Sequence, residues 1–359
     1  MAYITFQPSD YFNTKLYTGT GSTNAQTGLG FRPDWVWMKR RDSSGSHRLC
    51  DVVRGATKLL QSNASDAEQT GADTLTSFDS DGFTLGADAA PYNVNVSGQT
   101  MVAWCWRAGN SQGSSNTDGT INTTYTSVNT TSGFSISQYG GNGTQFATVG
   151  HGLGVAPNVI MIKNLSSATG WIVYHDKAGL TGSTLDGEAE YKMLSLNGTG
   201  AASDNNNDVI WGSTSTRYKI DATGSATYLN SSGSNYVAYC FAEKKGFSKF
   251  GSYVGNGSVN GPFIYTGFKP QFVITKRTDS ANGWIVMDSK RSPINVMDDL
   301  MEVQSNGGDA TASSYKVDYL SNGFKIRNTN NVFNNSSGSY IYMAFAEEPL
   351  VSSNNIPAT

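Results

Sequence analysis

The stretch Gly267-Phe-Lys-Pro-Gln-Phe-Val-Ile-Thr-Lys276 decides the reading of this chain, because the sequence contains it three times. Its counterparts are Gly30-Phe-Arg-Pro-Asp-Trp-Val-Trp-Met-Lys39 and Gly154-Val-Ala-Pro-Asn-Val-Ile-Met-Ile-Lys163. Each opens with Gly and Pro, which suit a turn and the first residue of a strand, then runs through apolar residues to a Lys. Such a run reads as a strand buried on both faces.

The repeat extends well beyond one strand, and internal repeats constrain a fold before any local reading does. Upstream lie Tyr17-Thr-Gly-Thr-Gly-Ser22, Tyr139-Gly-Gly-Asn-Gly-Thr144 and Tyr253-Val-Gly-Asn-Gly-Ser258. Downstream come Trp171-Ile-Val-Tyr-His-Asp176 and Trp284-Ile-Val-Met-Asp-Ser289, with His47-Arg-Leu-Cys-Asp51 in the same slot of the first unit. Later landmarks are Asp81-Gly-Phe83, Arg217-Tyr218 and Asn322-Gly-Phe324. Each unit closes on Met101–Trp106, Tyr236–Phe241 or Tyr340–Phe345. From the Tyr to the Pro the spacings are 16, 18 and 17 residues. The expectation is an all-β chain of three tandem homologous β-sandwich domains of the jelly-roll or lectin-like kind. Their bounds are 1–109 with a short N-terminal arm, a polar linker at 110–131, then 132–245 and 246–359 with a polar C-terminal tail. The Ser/Thr/Asn/Gly-rich residues 110–131 suit a flexible linker or a polar edge strand, and the first unit is expected to move as a body.

Composition supports the class. Forty Gly among 359 residues and only 15% charged residues favour turns and strands over helices. A net charge of −3 without a basic run excludes a duplex nucleic-acid partner. No window is apolar enough to span a membrane, and the first residues lack a secretory leader pattern. Three Cys form no disulfide framework. Cys105 and Cys240 share a slot that Ala344 fills in the third unit, so they read as small core residues. Val52–Leu60 and Ile294–Met301 read as short helical or irregular segments. The preceding Asp51-x-x-Arg54 and Asp288-x-x-Arg291 pairs read as ties for the connection.

Candidate chemistry is sparse. The Gly-x-Gly turns lack a following helix, so no phosphate cradle is expected, and Asn142-Gly143 and Asn256-Gly257 read as tight hairpins. Of the three His, His175-Asp176 with Ser166 or Thr169 does not read as a catalytic set, because the equivalent slots hold Asp51 and Asp288. Asp79, Asp81, Asp186, Glu188 and Glu190 offer carboxylates without the paired arrangement a glycosidase requires. The oxygen-rich Ala201–Asp208 loop suits a solvated excursion better than a Ca²⁺ site. No catalytic residue, cofactor or metal is therefore expected, and the chain is not read as an enzyme. Tyr92, Tyr125, Trp211 and Phe333 fall outside the repeated landmarks and are the candidate ligand or partner contacts. Trp35, Phe83, Phe272 and Phe324 are expected in the core.

At its landmarks the sequence resembles a family of tail- or virion-associated proteins of marine bacteriophages. The runs that carry the resemblance are Gly30 to Arg41, Asp51-Val-Val-Arg-Gly55, Asp81-Gly-Phe83 and the Gly-Asn-Gly with His-Gly-Leu-Gly pattern between Gly141 and Gly154. What the resemblance implies is a virion structural protein assembled in the host cytoplasm and built from lectin-like sandwiches. On that view it is a tail fibre or tail-associated component that binds a host glycan or receptor. The alternative is a capsid decoration or attachment protein. Expected partners are other virion proteins and further copies of the chain, with no nucleic acid and no membrane insertion.

Overall fold

The computed structural model describes residues 6–88, 92–185, 188–203, 210–220, 228–311 and 314–347. Its elements are almost all strands, and the same strand order occurs in each third of the chain. An opening strand (Phe12–Thr18, Phe134–Gly140, Ser248–Val254) pairs with the closing strand (Thr100–Trp106, Asn235–Phe241, Ser339–Ala346). The closing strand pairs with the Pro-led strand (Trp35–Arg40, Val159–Asn164, Pro270–Arg277). That strand pairs in turn with Arg48–Asp51, Ile172–His175 or Trp284–Asp288. All these pairings are antiparallel. Each large sheet carries a three-stranded sheet on its outer face, formed in the three thirds around Gly82–Leu85, Arg217–Ile220 and Gly323–Ile326.

The apolar Pro-led strands are buried on both faces because each large sheet serves two cores. Outward residues such as Val36, Ile160 and Val273 pack under the small sheets in three separate clusters. Inward residues form one cluster to which all three sheets contribute, including Trp35, Trp104, Trp106, Phe134, Tyr239, Phe241, Phe272 and Phe345. Ring contacts link every pair of thirds. Trp35 stacks on Tyr239 at 4.6 Å, Trp106 meets Phe345 at 5.7 Å, and Phe241 meets Phe345 at 5.9 Å. The large sheets are thus the faces of a three-sided prism around an aromatic axis. Trp35, Phe83, Phe272 and Phe324 are all buried.

Hydrogen bonds run around this axis in a cycle. His47 Nε2 lies 3.1 Å from Glu302 O, Trp284 Nε1 donates to Ser195 O at 2.8 Å, and Trp171 Nε1 donates to Gln61 O at 2.8 Å. The bonds lead from the first third to the third, from the third to the second, and from the second back to the first.

A second cycle shows compensating residue choices. Asp51 accepts from Tyr239 Oη at 2.7 Å, and Asp288 accepts from Trp104 Nε1 at 3.0 Å. The equivalent of Tyr239 and Trp104 in the third unit is Met343, which has no donor, and the residue facing that seam is His175, whose Nε2 bonds Tyr342 O at 3.2 Å. Both acids pair with a buried Arg three residues on, Arg54 or Arg291. Beside the neutral His175 the slot holds Ala178, so no buried cation is left unpaired.

Several expectations change. Of the two readings of residues 110–131 the polar edge strand holds and the flexible linker does not: Thr123–Asn129 forms the edge strand of the second large sheet, and Ile121 is buried in the second sandwich. The first third shares the central core with the others and is one face of the same body. The stretch Val52–Leu60 is not helical. Asp51 accepts from Arg54 N in a tight turn, and Gly55–Leu60 returns as a strand against Arg48–Asp51. Asp299–Glu302 is likewise a strand. The Gly-x-Gly turns are not hairpins, because each leads from an opening strand in the large sheet to the first strand of the small one. A buried Asn shapes each from afar. Asn95 Oδ1 accepts from Thr20 N and its Nδ2 donates to Ser22 O. Asn230 does the same to Asn142 N and Thr144 O, and Asn334 to Asn256 N and Ser258 O. The landmark tyrosines hold the residue before each Asn: Tyr17, Tyr139 and Tyr253 donate to the carbonyls of Val94, Leu229 and Phe333.

Candidate functional site

The candidate contact residues do not converge. Tyr92 is half-buried, donates to Thr70 O at 3.1 Å and carries the Arg48 guanidinium 5.1 Å from its ring. Tyr125 lies on the edge strand of the second large sheet and packs on the central core. Phe333 is 1% exposed inside the third sandwich. It fills the slot of Val94 and Leu229 and is a core residue, not a surface contact. The side chain of Trp211 lies outside the described residues, as do Asp186, the side chains of Glu188 and Glu190, and residues 204–208 of the excursion weighed for Ca²⁺. Among the described residues, no group of three His, Cys, Asp or Glu is placed to hold a metal, and no helix is long and apolar enough to cross a membrane.

The histidines are structural. His47 Nδ1 accepts from Trp37 Nε1, His151 Nδ1 from Leu153 N and His175 Nδ1 from Lys177 N, while each Nε2 faces a carbonyl. Both ring nitrogens are thereby engaged in the neutral Nε2–H form. Burial lowers all three pKa values, that of His175 to about 4. Ser166 Oγ accepts from Asn235 N, and Asp81 accepts from Gly28 N and Gly30 N. Cys50, Cys105 and Cys240 are buried free thiols, and burial pushes that of Cys50 up to about 12. Such a thiol stays protonated and inert.

The concave feature of note is a cleft of about 490 Å³ between the two sheets of the second third. Tyr174 and Tyr191 meet edge to face within it, with ring centroids 5.0 Å apart. One side carries Asn158 and Asp176; Asn158 Nδ2 and Lys177 Nζ both donate to Asp176 Oδ2 at 2.9 Å. The other side carries Ser213, Thr214, Arg217 and Lys219 from the small sheet. Burial, followed by the neighbouring Tyr191 and Asp176, raises the Tyr174 pKa, so its hydroxyl remains a neutral donor and acceptor.

The cleft belongs to the second third for a compositional reason. Cross-strand register makes Tyr174 the equivalent of Cys50 and Met287. In the third unit the same interlayer is filled by Met287, Tyr319, Phe324 and Phe333, and leaves only about 10 Å³. Sequence reasoning passed over Tyr174 because it lies in a repeated strand and counts there as core. The available signal was that the second unit alone places an aromatic hydroxyl in that slot.

A family model described as a domain of unknown function, DUF7483, matches residues 7–349. The chain belongs to this DUF7483 family. One family model spans all three thirds, in keeping with a core that all three share. No curated protein and no solved structure matches the chain.

Proposed function

We propose that this DUF7483 protein is a non-enzymatic recognition component of a bacteriophage particle, associated with the tail and binding a saccharide of the host surface. The observation that carries the proposal is the cleft of the second third. It combines two tyrosine rings with a carboxylate, an amide, hydroxyls and two cationic side chains at its walls. Apolar faces with a few convergent polar groups are what a ring bearing hydroxyls requires. Residues that would have to move protons in an enzyme are instead tied into the fold, as the doubly bonded histidines are. The resemblance at Gly30 to Arg41 and Asp51 to Gly55 supports the particle context, and the lectin-like reading rests on the cleft together with the sandwich architecture. The test is to label intact particles with a gold-conjugated antibody and count the sites. A few sites at the tail end are expected. Sites spread over the capsid lattice would overturn the tail assignment in favour of a decoration protein.

A further inference from the structure

The small sheets present three equivalent outer strands, Asn24–Thr27, Ala147–Gly150 and Phe263–Tyr265, and their edges are treated differently. In the first, Lys15 Nζ donates to Thr27 O at 2.6 Å, placing a cation on the edge. In the second, the chain's own residues cover the edge. Ile121 bridges Val149 in parallel, Ile121 N donates to Thr148 O at 2.9 Å, and Thr148 N donates to Thr120 Oγ1 at 2.8 Å. In the third, Phe263–Tyr265 pairs only with Gly323–Ile326 among the described residues. Lys325 Nζ donates to Gly261 O at 3.1 Å, ahead of this strand, and Phe263–Tyr265 itself carries neither a charge nor a bulge; an uncovered edge of that kind is a template for another strand.

The ladder fixes which groups are open. Ile326 N donates to Pro262 O, and Thr266 N donates to Asn322 O. Hydrogen-bonded pairs alternate along an antiparallel ladder, so Ile264 bonds Phe324 while the N–H and C=O of Phe263 and Tyr265 point to the open edge. Thr148, the equivalent of Phe263, uses those same groups to bind the 120–121 segment. The side chains of Phe263 and Tyr265 both project from the outer face, 43% and 64% exposed. Polar residues hold the equivalent outward positions elsewhere, or small ones: Ala25 and Thr27, Thr148 and Gly150.

We propose that Phe263–Tyr265 is a self-association edge, pairing antiparallel with the same strand of a second copy about a twofold axis at Ile264. This register is self-complementary. Phe263 faces the partner's Tyr265 and Tyr265 faces the partner's Phe263, and these are the residues whose backbone groups point outward. Both aromatic pairs then lie opposite each other on one face, a favourable cross-strand arrangement, and the contact is isologous and closes at a dimer. Parallel pairing, as in the covered second edge, would offer no such symmetry to two identical strands. The contact is small, so the dimer belongs to the weak, concentration-dependent class.

Sedimentation velocity of the full chain up to about 1 mM, where weak association is populated, tests the proposal. The mean mass of the wild type should rise from 38.4 kDa towards twice that value. The double variant Phe263→Lys/Tyr265→Lys should stay at the monomer mass with an unchanged thermal midpoint, because both side chains are exposed in the monomer. Amide exchange at Phe263 and Tyr265 should slow with concentration in the wild type alone. A wild type that remains monomeric throughout, a variant that dimerises equally, or a dimer with no slowing at these amides would each overturn the proposal. None of these outcomes depends on what the cleft of the second third binds.

Discussion

Replacing Asp288 with Ala removes the charge that holds the seam between the first and third units. Asp288 and Arg291 are both fully buried, with Arg291 Nε donating to Asp288 Oδ2 at 2.5 Å. The same carboxylate accepts from Trp104 Nε1 at 3.0 Å, from Arg291 N at 2.9 Å and from Lys290 N at 3.1 Å. Its loss leaves the buried guanidinium with the partly exposed Asp309 carboxylate at 2.8 Å and the Val286 carbonyl at 3.1 Å as partners, so the expected cost is about 3 kcal/mol, the lower end of the range for breaking a buried ion pair on one side. Trp104→Phe removes one charge-assisted donor while keeping most of the packing, and should cost about 1.5–3 kcal/mol. The double variant Asp288→Asn/Arg291→Met removes the buried cation, while Asp309 keeps Arg41 at 2.6 Å, and should recover most of the single-variant loss, as the His175 and Ala178 pair does at the other seam. Urea unfolding followed by both tryptophan fluorescence and far-ultraviolet circular dichroism measures all three. A loss under about 1 kcal/mol for Asp288→Ala would refute the reasoning, since surface-like substitutions fall in that range. So would a double variant as unstable as the single one.

Other consequences follow from the same burial. Burial lowers the pKa of Lys39, Lys163 and Lys276 to about 8 from an ordinary 10.5. A depressed folded-state pKa means stability that is full above the unfolded value and lost as pH falls through the folded one. Urea midpoints should therefore rise from pH 7.5 to about 8.5, before ionisation of the three thiols, buried and protonated in the fold, and then of tyrosines in the unfolded chain opposes the trend; a flat or falling profile in that window contradicts the assignment. His175 has its folded pKa lowered to about 4, so its contribution is present above pH 6.5 and lost as pH falls through 4. Asp34 works in the opposite sense. Burial raises its pKa to about 6, so its contribution is full below 3.8 and lost as pH rises through 6. Asp34→Asn should therefore gain on the wild type as pH rises from 4 to 7, and a constant difference across that range would contradict the assignment. Asn230→Ala should cost about 1–3 kcal/mol by leaving buried groups unsatisfied, and should speed amide exchange at Asn142. Unchanged exchange there would show that the Asn does not shape the turn.

The Pro-led strands were legible because a continuous apolar run is a local signal, and their burial on both faces followed from it. What covers the second face was not legible. Trp35, Tyr239 and Phe345 come from different thirds, and nothing in their spacing states that they meet. The same limit explains the turns. Asn142-Gly143 has the local chemistry of a hairpin, yet Asn230 from 88 residues away clamps it. Val52 to Leu60 suggested a helix because its apolar residues are spaced for one, but the Asp51–Arg54 turn and Gly55 send the chain back as a strand. Phe333 stood outside the landmarks, although it matches Val94 and Leu229 once the position before each buried Asn is known. Of the cleft, Asn158, Tyr174, Asp176 and Arg217 were visible, but only as members of repeated landmarks. Their junction depends on how the two sheets are spaced.

Binding to a panel of immobilised host-surface saccharides tests the central functional claim most directly. The comparison sets the wild type against Tyr191→Ala and Arg217→Ala, two variants at the rim of the cleft, each shown to keep its thermal midpoint. The account predicts that the wild type retains a saccharide and that each variant loses roughly tenfold or more in affinity, as removal of a contact worth about 1.4 kcal/mol does. Retention of no saccharide by the wild type, or equal retention by all three proteins, would contradict it.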